Sequence, residues 1–130
     1  MLNMTDKECI DILLNDLRSI GIKTTGFDLY LRKYSKTYWG RYFPKTMDRP
    51  TPRIYLYAHT PSGGFYNHDI LLYHLIHECV HHEQYASATY VRFRGIMHDS
   101  DFIRLFQRYI KRAVKKNLIN MKNVRGRNYA

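Results

Sequence analysis

The sequence predicts one small α+β domain: an N-terminal helix, a three-stranded antiparallel sheet, a central apolar helix and a basic C-terminal helix. Three observations carry this expectation. Apolar residues recur at helical spacing near the N-terminus, short apolar-polar alternations bracketed by prolines follow, and two longer segments then return to helical patterning. The 130 residues are 45% hydrophobic and 15% aromatic, with 12 Tyr and 6 Phe, which is enough for a single core.

Each element has its own local cause. Thr5-Asp6-Lys7-Glu8 is a capping-box pattern, and Ile10, Leu13, Leu14, Leu17 and Ile20 continue one helical face until Gly21 ends it. Phe27, Leu29 and Leu31 alternate as in a strand. Tyr38 to Phe43 predicts a second strand and Arg53 to Ala58 a third, the latter bracketed by Pro50, Pro52 and Pro61. Ser62-Gly63-Gly64 is a turn. Ile70 to Ile76 is a nearly unbroken apolar run, so a buried helix is expected from about Asn67 to Ala88. A last helix is expected from about Ser100 to Lys116, capped by Asp99 or Ser100, with Asp101 complementing the helix dipole. Residues 1–116 thus read as the folded domain and 117–130 as a basic, flexible tail.

The central helix contains His77-Glu78-Cys79-Val80-His81, an HExxH pattern. Residues four apart share a helix face, so His77 and His81 can reach one cation, while Glu78, roughly 100° round the axis, can touch a water on it. Catalytic zinc takes three protein ligands and keeps a fourth position for water, so a third ligand is expected downstream. An HExxHxxGxxH arrangement fails, because Gln84 and Ser87 stand where Gly and His are required. No Glu follows Glu83, which excludes a Glu on a later helix and leaves His98, Asp99 or Asp101. His98 is the best donor of these, and Asp99 and Asp101 read better as cap residues. His74, one turn before His77, fits either a role near the metal or packing, and Cys79 reads as a small buried apolar side chain.

HExxH followed by a histidine that opens a helix, here His98-Asp99-Ser100-Asp101-Phe102, resembles the SprT-like zinc metalloproteases. Tyr38-Trp39-Gly40-Arg41-Tyr42 and Arg53-Ile54-Tyr55-Leu56 are similar to the aromatic-Gly hairpin and the strand that precede the motif helix in that family, and the resemblance spans roughly residues 5–115. It implies a zincin-like fold, Zn2+ bound by His77, His81 and His98, Glu78 as general base, and cleavage of proteins bound or crosslinked to DNA. The chain departs from the family in three respects. It has only Cys9 and Cys79, so it carries no cysteine-pair zinc ribbon; Asp99 stands where Gly is more usual; and 16 residues separate His81 from His98.

Charge is concentrated at the C-terminal end, where residues 102–130 hold nine basic and no acidic side chains out of a total net charge of +10. Arg104, Arg108, Lys111, Arg112, Lys115 and Lys116 form a stripe on the last helix, opposite Phe102, Phe106, Tyr109, Ile110 and Ala113. Such a stripe suits the phosphate backbone of a nucleic acid, DNA on the resemblance, and fits also a solvated helix face or a membrane surface; Lys122, Arg125 and Arg127 follow it in the tail. Aromatic and basic residues also interleave in Tyr30-Leu31-Arg32-Lys33-Tyr34 and around Trp39, which fits either stacking on unpaired bases or the two faces of a strand. Neither a membrane span nor a signal peptide is apparent, and a cytoplasmic or nuclear location is expected. Two other functions remain open: a nucleic-acid-binding module with a structural or inactive zinc site, and a zinc hydrolase of another bond.

Overall fold

Thr5 starts the first helix, α1 (Asp6–Ser19), by the capping box its sequence predicts. The Thr5 hydroxyl accepts from Glu8 N at 3.1 Å, and the Glu8 carboxylate accepts from Thr5 N at 2.9 Å. The helix ends at Gly21, whose φ of +90° lets Ile22 N reach back to Leu17 O at 3.0 Å. The face that α1 buries runs through Cys9, Leu13, Leu17 and Ile20. In this computed structural model, residues 4–86 and 98–125 are described.

Three strands follow: β1 (Asp28–Arg32), β2 (Gly40–Phe43) and β3 (Arg53–Tyr57). They form a mixed sheet in the order β1-β3-β2, which corrects the antiparallel expectation for one pair. β2 and β3 are antiparallel, but β1 and β3 are parallel, with Tyr30 beside Tyr55. The reason is burial. Ile54 and Leu56 are fully buried, so the most apolar strand takes the central position, and the chain from β1 must pass through β2 before returning beside it. Leu29, Leu31, Tyr42, Ile54 and Leu56 face the core.

Helix α2 (His68–Ala86) is the central element, with Ile70, Leu72, Leu75, Ile76 and Val80 wholly buried. Burial of each such side chain contributes about 1.5–3 kcal/mol. Its apolar residues are spread round the axis, so it packs against β2, β3, α1 and the two later helices. The start agrees with the expected one to a residue, and expected helical positions 87 and 88 lie outside the described residues.

Helix α3 (Ser100–Lys115) begins at the predicted cap, where the Asp99 carboxylate accepts from Phe102 N at 2.8 Å. Asn117, at φ 61°, then turns the chain back, and Leu118 N bonds Ala113 O at 2.9 Å. Residues 117–125 therefore do not follow the expectation of a flexible tail. Ile119 and Val124 are buried, and the short helix α4 (Met121–Arg125) packs on α2. Asp69 holds this return, accepting at 2.8 Å from both Asn120 N and Asn123 Nδ2. Those bonds, with one from His68, outweigh burial and lower its pKa. Residues 126–130, including Arg127, lie outside the described residues.

Candidate metal centre

α2 presents His77 and His81 one turn apart, and the residue two before α3 brings His98 to them. Their ligand-capable atoms lie within 4.8 Å of one another. The ring centroids form an almost equilateral triangle with sides of 5.0, 4.9 and 5.0 Å. His81 Nε2 and His98 Nε2 are 3.1 Å apart. Two nitrogens on one tetrahedral ion at about 2.0–2.1 Å sit roughly 3.3–3.4 Å from each other, so this pair is close to bridging distance. Three imidazoles suit a borderline cation better than a hard one such as calcium or magnesium.

A metal ligand must offer a lone pair, and desolvation favours the neutral form of His81 and His98. His81 is 7% exposed, and desolvation, aided by His77 and His98, pushes its pKa down to about 3. Burial and His77 also lower His98, partly opposed by Glu78. His77 Nδ1 is 3.1 Å from Glu78 Oε2. A proton on that Nδ1 donates to the carboxylate and leaves Nε2 as the free donor atom.

Two residues that the sequence placed in motifs without a role at the site complete it. The ring of Phe102, 2% exposed, lies against all three imidazoles, at 4.9 Å from His77, 4.6 Å from His81 and 4.7 Å from His98. It is therefore a floor on which the triangle rests, and its N–H is the one that caps onto Asp99. Its spacing of four from His98 was the available signal. The second residue is Gly40, at the start of β2. A Cβ there would fall 2.8 Å from Glu78 Cγ and 3.1 Å from its Oε2, so only glycine lets strand and carboxylate approach this closely. Glu78 itself is 6% exposed.

The other candidates fall elsewhere. Asp99 is the α3 cap, and Asp101 pairs with Arg104 at 3.1 Å on the surface, so neither belongs to the histidine cluster. His74 stacks flat on Trp39, with ring planes 2° apart and centroids 4.8 Å apart; burial, with His77, pushes its pKa down to about 3. Cys79 is buried and its pKa is raised by desolvation, as suits an inert thiol. The basic stripe is divided. Arg112 Nη1 donates to Ile20 O at 3.0 Å and Lys116 Nζ to Ser19 O at 2.7 Å, so both cap the end of α1. Arg108, Lys111 and Lys115 are exposed. Among the described residues, no helix is long and apolar enough to cross a membrane.

No family model, curated protein or solved structure matches the chain.

Proposed function

We propose that this chain is a zinc-dependent metallopeptidase of the SprT-like, zincin-like kind, acting on proteins bound or crosslinked to DNA. One observation carries the proposal: His77, His81 and His98 converge beside the buried carboxylate of Glu78. Zn2+ held by the three imidazoles would supply Lewis acidity and lower the pKa of a water toward neutrality. Glu78 takes a proton from the attacking water and returns it to the leaving amine. Its contact with His77 keeps the carboxylate beside the triangle, and Gly40 leaves room for it there.

Peptide chemistry is supported by β2. It pairs with β3 on one side only, so among the described residues its other edge is open, and Gly40 on that strand adjoins Glu78. An extended polypeptide hydrogen-bonded along this edge would pass the carboxylate. Association with DNA is supported by the net charge of +10 and by the exposed Arg108, Lys111 and Lys115.

The test is zinc stoichiometry and cleavage of casein and histone by wild type and Glu78→Gln. Cleavage should fall about 10²–10⁴-fold while zinc remains bound. Function unchanged in Glu78→Gln would instead favour a nucleic-acid-binding module with an inert metal, and cleavage of labelled DNA but not protein would favour hydrolysis of another bond.

A further inference from the structure

The side of the sheet turned away from α2 carries a second surface, distinct from the metal centre. Period-two alternation sends Leu29, Leu31, Ile54 and Leu56 into the core and Tyr30, Arg32, Arg53 and Tyr55 to the opposite face. Both helices that touch the sheet, α1 and α2, share the core cluster with the first set, so the second set has no helix over it among the described residues. An uncovered sheet face ordinarily carries small polar and mixed charged residues. Here it carries aromatic rings interleaved with guanidinium groups.

The rings and guanidinium groups form one contiguous cluster, its rings tilted 80° and 59° against Tyr55. Tyr55, on the central strand, meets Tyr30 at 5.8 Å on one side and Phe43 at 4.8 Å on the other. Arg32 lies over the Tyr55 ring at 4.9 Å, Arg53 over Tyr30 at 5.6 Å and Arg41 over Phe43 at 4.8 Å. Asp28 is the only carboxylate on the three strands, and no ion pair joins it to Arg53, its register neighbour. Among the described residues, no carboxylate pairs with Arg32, Arg41 or Arg53, and Arg32 and Arg41 are exposed to solvent.

We infer that this face is a docking surface for single-stranded nucleic acid. Charge complementarity selects a polyanion, because the face is net positive on a chain of net charge +10. The rings select unpaired bases. In a duplex the base faces are stacked away, and only phosphates would meet the sheet, whereas a single strand lays its bases on aromatic rings and its phosphates beside arginines. Arginine suits this better than lysine, since its planar group can stack on a base while bonding a phosphate. The inference does not depend on the peptidase reading, because the surface lies across the sheet from the histidines.

The test is anisotropy of a labelled oligothymidylate against a hairpin duplex of equal length, with the metal-free protein and with Glu78→Gln. Single strand should bind more tightly than duplex, and equally in both proteins. Arg32→Glu/Arg41→Glu, at two exposed positions, should weaken binding at least about tenfold, and Tyr30→Leu and Phe43→Leu about fivefold or more each, with unchanged melting temperature. Lys7→Glu/Lys23→Glu, at two exposed positions outside both the sheet face and α3, should leave it within about twofold. The inference is overturned by affinity unchanged in the sheet variants, by loss of binding in the Lys7/Lys23 variant, by equal affinity for the duplex, or by binding to anionic vesicles without binding to the oligonucleotide.

Discussion

The two ends of α3 are held by opposite kinds of contact. At its start, His98 and Phe102 sit against the rings of His77 and His81, in a cluster fixed by one side-chain cap from Asp99. At its end, Arg112 and Lys116 reach across to the last carbonyls of α1 and satisfy them with charged donors. The start assembles a site and the end joins two helices. A basic stripe read from sequence thus mixes two populations, those used inside the fold and those left for a partner.

The comparison breaks most visibly at Phe102. Phe102→Ala should cost about 3–5 kcal/mol of stability by denaturant titration and should also weaken zinc binding, because the three imidazoles lose their common floor. Unchanged metal affinity in that variant would reduce Phe102 to a core residue. His98→Ala sharpens the same end. Zinc affinity should fall about 100-fold or more by competition with a chelating dye, while the metal-free protein melts within a degree or two of wild type.

At the other end, Arg112→Ala with Lys116→Ala should cost about 1–3 kcal/mol and leave zinc affinity untouched. A double variant as stable as wild type would return both residues to the solvent-facing stripe. A further effect concerns acid. His74 and His81 on α2 are held neutral in the fold, their pKa values pushed down to about 3 by burial. The unfolded chain takes up these protons below about pH 6.5 and the folded one does not, so this stability is present above about 6.5 and is lost as pH falls toward about 3. Urea midpoints of the metal-free protein should drop between pH 7 and 5, with the same slope in the Arg112/Lys116 variant.

Local chemistry was legible in the sequence where one segment decides it. The Thr5 capping box, the Asp99 cap, the apolar run of α2 and the grouping of His77, His81 and His98 all depend on spacing within or beside a helix. What escaped depends on packing between segments. Alternation identifies a strand without ordering it, so the parallel pairing of β1 with β3 was not visible. Ile119 and Val124 are too few to outweigh a polar, basic background by composition, yet they bury once Asn117 turns the chain and Asp69 holds it. Gly40 carries no side chain to read, and its meaning exists only against Glu78.

That last contact has a mechanical consequence. Because a side chain at Gly40 would collide with Glu78 Cγ, strand and carboxylate are packed too closely for either to slide without displacing the other, and a polypeptide zipped onto that edge would acquire a fixed phase relative to the carboxylate. The strand would then work as a ruler. If the chain cleaves peptides as proposed, hydrogen-bond register would set the position of the cut.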